Sequence, residues 1–296
     1  MKQNGISKSI ICISSPGTYL KGLSPCEATK LTTYCNDYAA DLKQKYPDKF
    51  GFWASLPLPD TELALKEIER VEKLGADGFC LLTNAHGHYL GDEIFDNIFQ
   101  ELNKRKATVF IHPTTPCLRC NAGTNNEQSH LEVGPLGRKF ASPVFEFLFE
   151  TARMLVNLFL SGTVARNPDI KFIIPHLGGA MPPILARFTG FSTVIPDMPT
   201  VTQEDVKKAF RNQFYFDLAG FAFPTQFIGL VNGIGIDHYR LLYGSDFPFT
   251  PAAAVKELAM QLDTGILGHF NAAQSKDILY QNAELLIGAR STGSDD

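Results

Sequence analysis

Three short segments of this chain end an apolar run in a residue able to bind a metal ion or move a proton: Val109-Phe110-Ile111-His112, Ile173-Ile174-Pro175-His176 and Tyr243-Gly244-Ser245-Asp246. Imidazole nitrogen and carboxylate oxygen are ordinary ligands of zinc and similar divalent ions, and both groups serve as general acids or bases. A single histidine after a strand is more often a hydrogen-bonded structural residue, and a single aspartate in Gly-Ser-Asp is often a cap or turn former. Three such residues, separated by 64 and 70 positions, point to a shared mouth, because the strand C-termini of a parallel barrel all open at one face. Their flanks fit that role. Prolines at 113 and 175 stiffen the backbone on one side of each histidine, and Gly178-Gly179 permits close approach of a substrate or another backbone. Phe247-Pro248, after Asp246, reads as an aromatic lid element or a substrate wall. Asp217 and Asn84 follow two further apolar runs and face the same mouth; a structural cap is the plainer reading of each, and Asn84 is carried as a candidate substrate contact.

Stepping from these residues to the elements that must hold them, strand-like apolar runs recur at 9–13, 50–56, 78–82, 108–112, 172–176, 214–218 and 241–244. Between them lie segments of helical period. Phe95, Ile98, Phe99 and Leu102 form one stripe behind Asp92 as N-cap, and Asp60 opens a second helix that carries Leu65, Ile68, Val71 and Leu74 and is closed by Gly75. Ser142-Pro143 is expected to start a long helix running through Leu160. Alternating strands and helices, with strands apolar on both faces, predict an α/β fold on a parallel sheet. No Gly-x-Gly-x-x-Gly or P-loop pattern follows any strand, so the nucleotide-binding open sheets lose support and a barrel is preferred. A closed barrel wants eight strands, and seven are recognisable. Residues 114–142 read as one long irregular stretch, and their place after His112 suggests an active-site cover.

Composition narrows the class. With 296 residues, 44% hydrophobic and 20% charged, the chain is expected to be one globular domain. A net charge of −4 offers no field for a nucleic-acid backbone, and no run of like charge suggests a membrane surface. Neither a signal-peptide core nor a spanning apolar run is seen, so a cytosolic setting with six reduced cysteines is expected. Cys117 and Cys120 make a lone Cys-x-x-Cys, which without a second pair is a weak metal signal. His86-Gly87-His88 follows an internal strand and is read as a loop motif of accidental spacing.

Taken together, Val-Phe-Ile-His-Pro at 109–113, Pro-His-Leu-Gly-Gly at 175–179 and Tyr-Gly-Ser-Asp-Phe-Pro at 243–248 resemble the amidohydrolase-superfamily decarboxylases of the aminocarboxymuconate-semialdehyde decarboxylase type. Residues 102–114 look most like the fungal 6-methylsalicylate decarboxylases. The resemblance implies a (β/α)8 TIM-barrel-like amidohydrolase fold, here with the first strand missing. It also implies His112 and Asp246 as metal ligands, His176 as a catalytic histidine beside the metal with Asp246 sharing the proton chemistry, and Arg187 as a substrate contact that reaches into the neighbour's site of a homodimer. One divalent ion is implied, zinc first and manganese next. No strand end offers a lysine for carbamylation, which fits a mononuclear site.

The implied reaction is non-oxidative loss of carbon dioxide from a small aromatic acid such as 6-methylsalicylate, with Asp246 or His176 delivering a proton to the ring carbon that bears the carboxylate. Two other readings stand beside it. One is a metal-dependent hydrolase of a lactone or amide, with His176 as base. The other is a catalytically impaired barrel that serves as a structural or interaction protein, since the family's first strand carries His-x-His or Glu-x-His and nothing before Ser9 matches it. On that last point the chain as given is expected to bind metal poorly and to leave the strands at 9–13 and 241–244 with unpaired edges.

Overall fold

The computed structural model describes residues 1, 5–121, 128–132, 139–250 and 252–288. The chain divides into two compact units, residues 1–170 and 171–296, which are taken in turn.

In the first unit, β1 (Ser9–Ile11), β2 (Phe50–Ser55), β3 (Gly78–Leu82) and β6 (Thr108–His112) pair in parallel in that order. Two short antiparallel strands, β4 (Asn84–Ala85) and β5 (His88–Tyr89), follow β3 as a tight hairpin. Helix α1 (Pro25–Lys45) opens with a full capping box, Ser24 accepting from the Glu27 amide and the Glu27 carboxylate accepting from Ser24. Helix α2 (Thr61–Lys73) starts at Asp60, whose carboxylate accepts the Leu63 amide. It ends in a Schellman turn, Ala76 N–H to Val71 O and Gly75 N–H to Glu72 O, with Gly75 at φ +78°. Helix α3 (Asp96–Lys104) is entered through a 3-10 turn (Glu93–Phe95) capped by Asp92. Asn36 of α1 bonds both the N–H and the carbonyl of Ser55, and so closes the end of β2 as a neighbouring strand would. Gly78 is required by packing: a β-carbon there would sit 2.4 Å from the Thr108 carbonyl and 2.8 Å from the Trp53 ring.

Two sequence expectations are corrected in this unit. The stretch 114–142 is not irregular throughout, because β7 (Cys117–Asn121) and β8 (Gln128–Glu132) pair as an antiparallel ribbon; the remaining positions 122–127 and 133–138 lie outside the described residues. The helix expected to run unbroken from Ser142 is two pieces. A 3-10 turn (Ser142–Val144) gives way at Phe145, whose φ of −144° is not helical, and α4 (Glu146–Leu160) begins only after it. Ser142 caps neither piece. A short α5 (Thr163–Arg166) completes the unit.

In the second unit, β9 (Lys171–Ile174), β10 (Phe214–Asp217) and β11 (Leu241–Leu242) pair in parallel in that order. Its helices are α6 (Met181–Val194), α7 (Gln203–Asn212), a single turn α8 (Thr225–Phe227), α9 (Ala252–His269), α10 (Ala272–Lys276) and α11 (Asn282–Gly288). An aromatic core locks α7 to the strands: Phe172 stacks on Phe214 at 4.9 Å, and Phe210 meets the rings of Phe214 and Phe216 edge-on at 5.1 Å each. All four rings are fully buried, each burial stabilising by about 1.5–3 kcal/mol before entropy is counted.

All seven strands expected from sequence are therefore present; His112 and Asp217 end strands, Asn84, His176 and Asp246 follow one, and Arg187 lies within α6. No helix among the described residues is long and apolar enough to cross a membrane, and Cys12, Cys26, Cys35, Cys80 and Cys117 are not joined in disulfides.

Candidate active site

His112 is the last residue of β6 and is half-buried. Its Nδ1 lies 2.6 Å from the Pro113 carbonyl, which can only accept, so Nδ1 carries the proton and the lone pair of the neutral ring belongs to Nε2. A ligating imidazole is held in this way by a second partner that fixes its tautomer. The ring meets Phe147 of α4 edge-on at 6.0 Å. The chain around it is fastened to the end of β3: Thr83 N–H donates to the His112 carbonyl (3.0 Å), Thr114 N–H donates to the Thr83 hydroxyl (3.2 Å), and the Asn84 amide donates to the Thr115 carbonyl (3.1 Å).

Asn84 itself is buried, and its side chain is bonded to Glu150 (3.1 Å) and to the Gly87 amide (3.2 Å) as well. It also lines a cavity of about 250 Å³ within the first unit, together with Ile13, Tyr19, Leu56, Leu82 and His86. The two histidines of His86-Gly87-His88 are engaged separately. His86 donates from Nε2 to the Tyr19 carbonyl (2.8 Å), while His88 meets Asp92 at 3.0 Å.

In the second unit the structure brings His176, Asp217 and Asp246 together. Neither His176 nor Asp246 is part of a strand: β9 ends at Ile174, short of the expected 176, and β11 at Leu242, short of the expected 244. Beyond β9 the backbone turns through four consecutive residues of positive φ, His176 (+53°), Leu177 (+53°), Gly178 (+81°) and Gly179 (+58°). The first two lack glycine's freedom and are held there by neighbours, a kind of strain that gathers at functional sites. One neighbour is Asp217 at the end of β10, whose Oδ1 accepts the N–H of His176 (2.9 Å) and of Ala219 (3.0 Å). The Ala219 carbonyl in turn receives His176 Nδ1–H at 3.2 Å, so this ring too is set with its lone pair at Nε2.

Asp246 is likewise a non-glycine residue at positive φ (+52°). Burial pushes its carboxyl above the ordinary value, with the nearby His176 opposing. Burial likewise raises Asp217, against His176 and the two amides that favour its charged form. Gly244 is fixed by this pair of loops, since a β-carbon there would come within 2.9 Å of Asp217 Cγ. Phe247 and Phe249, which follow Asp246 in the chain, are 65% and 64% exposed.

Arg187 lies on α6, exposed, with its guanidinium 4.8 Å from the centre of the Phe191 ring. Among the described residues, no three His, Cys, Asp or Glu side chains form a group that could hold a metal ion. The donors present are nonetheless of the right kind one by one: an imidazole with a fixed tautomer in the first unit, and a carboxylate whose charge burial disfavours, and a cation would favour, in the second. Sequence reading missed Glu150, fully buried on α4 and bonded to Thr83, Asn84, Tyr89 and Arg153. A signal was available. Phe147, Glu150, Thr151, Met154, Leu155 and Leu158 share one stripe of the helix, so the carboxylate falls on the face that must be buried.

The amidohydrolase family model (Amidohydro_2) matches residues 26–288. A decarboxylase of Aspergillus niger, yanB, is 36% identical over 89% of this chain and 70% of its own length, and the 6-methylsalicylic acid decarboxylase acuB of Aspergillus aculeatus is 32% identical over 84% and 72%. Among solved structures, an amidohydrolase II superposes with a TM-score of 0.82 at 30% identity over 97% of this chain and 86% of its own. A 5-carboxyvanillate decarboxylase of Novosphingobium aromaticivorans, crystallised with manganese and a nitrobenzoic acid, gives 0.79 at 25% identity over 96% and 77%.

Proposed function

The chain belongs to the amidohydrolase family, and from that membership we propose that it is a metal-dependent, non-oxidative decarboxylase of a small aromatic acid such as 6-methylsalicylate. The observation that carries this reading is the pair formed by His176 and Asp246: an oriented imidazole beside a carboxyl that burial keeps nearer to its protonated form. Decarboxylation of a hydroxybenzoate needs one proton placed on the ring carbon that bears the carboxylate. The bond to the carboxylate then breaks, its electron pair restores the aromatic ring, and carbon dioxide leaves with no oxidant or reductant consumed. Asp246 or His176 supplies that proton and recovers it from solvent.

His112 and Asp246 are each proposed as a protein ligand of a divalent ion, His112 with its Nε2 lone pair and Asp246 with its carboxylate. When bound, the ion supplies Lewis-acid polarisation of the substrate's carboxylate and ortho hydroxyl. Manganese is the ion of the carboxyvanillate relative, and imidazole with carboxylate suits zinc as well. Asn84 lines the first unit's cavity and is the proposed contact to the substrate there. Arg187, exposed on α6, is proposed to serve the neighbouring subunit of a homodimer by pairing with a substrate anion.

The test is a single assay with two arms. On the lyase reading, purified chain supplied with Mn²⁺ or Zn²⁺ releases carbon dioxide and the corresponding methylphenol from 6-methylsalicylate and leaves aryl lactones intact, whereas an impaired barrel does neither. Lactone opening without carbon dioxide release would replace the lyase with a hydrolase. For Arg187, mixing Arg187→Ala subunits with His176→Ala subunits is expected to restore activity in the mixed dimers, and no restoration would place Arg187 in its own chain's chemistry.

A further inference from the structure

We propose that Glu150 is a positioning residue, a buried charge whose hydrogen bonds fix the direction of the His112 imidazole. The inference rests on the proposed role of His112 and adds to it the group that holds it. Glu150 is fully buried and receives the Tyr89 hydroxyl on Oε1 (2.7 Å) and the Asn84 amide on Oε2 (3.1 Å), with Arg153 also on Oε1. The Thr83 hydroxyl completes the set at 3.4 Å from Oε2. Burial pushes the Tyr89 hydroxyl up to about 12, so it remains a donor at any ordinary pH.

The consequence runs outward through two side chains. The one proton of the Thr83 hydroxyl is drawn to the carboxylate, which leaves its lone pair for the Thr114 N–H at 3.2 Å. Asn84 spends its amide on Glu150 and on the Thr115 carbonyl. With Thr83 N–H on the His112 carbonyl, the chain is gripped immediately before and after Pro113. The Pro113 carbonyl is the group that receives His112 Nδ1–H, so a fixed Pro113 means a fixed imidazole with its lone pair at Nε2. Helix α4 acts twice on this ring, through Glu150 and through the edge contact of Phe147.

A role confined to stability and a role in positioning separate in one experiment on the full chain. Glu150→Ala, Glu150→Gln and Thr83→Val are compared with Leu158→Ala, a core truncation in the same helix that touches none of these bonds. Long-range proton–nitrogen spectra of histidine-labelled protein, with the His112 ring assigned by its loss in His112→Gln, report the tautomer without any metal. Calorimetric titration with Mn²⁺ reports affinity. Wild type and Leu158→Ala are expected to show the Nδ1–H form, whereas the Glu150 and Thr83 variants show a mixture and bind Mn²⁺ about 10- to 100-fold more weakly. Melting temperatures lowered alike in all variants, with the His112 tautomer unchanged, would overturn the proposal. If Glu150→Ala does not fold, Glu150→Gln and Thr83→Val decide. Wild type that binds no Mn²⁺ would instead count against the proposed metal centre, and the tautomer comparison would still decide the role of Glu150.

Discussion

Replacing Asp217 by alanine should loosen the whole His176 bend, and the cost follows from its two hydrogen bonds. Oδ1 accepts from the backbone of His176 at 2.9 Å and of Ala219 at 3.0 Å, in a site where Asp217 is only 8% exposed. Hydrogen bonds to a buried charged acceptor contribute about 1.5–3 kcal/mol each, which sets an upper figure of roughly 3–6 kcal/mol for the pair. Burial works against the charged carboxylate, as its raised pKa shows, and this offsets part of the loss. A net destabilisation of about 2–4 kcal/mol remains, equivalent to a fall in Tm of roughly 3–7 °C for a chain of 296 residues. Asp217→Asn separates the two effects, because its carbonyl oxygen can accept the same two N–H groups without a penalised charge. It should stay within about 1–2 kcal/mol of wild type. Thermal and urea unfolding give the stabilities, and amide exchange at His176 and Ala219 shows where the loss occurs. Equal destabilisation in Asn and Ala variants would refute the argument that acceptor geometry, rather than charge, holds the bend.

Three further outcomes are expected. His176→Ala should keep its fold and its metal and lose about 10²-fold or more in turnover of 6-methylsalicylate, as removal of a general acid or base does; near-native turnover would take His176 out of the chemistry. His112→Ala should weaken Mn²⁺ binding by more than about 100-fold, beyond the usual effect of losing only a ligand's supporting partner, and unchanged affinity would remove it as a ligand. Tyr89, pushed to about 12 by burial with Arg153 opposing, has a folded-state value above its unfolded one near 10. Its contribution is therefore full below about pH 10 and fades as pH rises toward 12. Tyr89→Phe should melt below wild type at pH 9, with the gap closing by pH 11.5, and a gap independent of pH would contradict this assignment.

The sequence disclosed what depends on local pattern. Seven apolar runs became seven strands, and Asp60 and Gly75 did at the ends of α2 what their chemistry dictates. The β7–β8 ribbon was illegible because Cys-Leu-Arg-Cys-Asn and Gln-Ser-His-Leu-Glu carry little of the β-branched alternation that marks a strand. Phe145 broke the expected helix although nothing in its own residue type forbids helical φ. At the candidate site, residue identity was readable and backbone form was not. The glycines of Pro-His-Leu-Gly-Gly were read as allowing close approach, yet the positive φ values begin already at His176, whose N–H is held by Asp217 some forty residues away. Glu150 shows the same limit, since its partners Thr83, Asn84 and Tyr89 stand 61–67 positions before it in the chain.

That arrangement constrains descent as well as chemistry. One carboxylate serves Thr83, Asn84, Tyr89 and Arg153, two donors on each oxygen, so a substitution at any of the four removes a donor from a buried acceptor that another of them shares. The positions are therefore coupled in inheritance: the effect of a change at one depends on which of the others has already changed. Double-mutant cycles among Thr83, Asn84 and Tyr89 should accordingly show losses in stability that do not add.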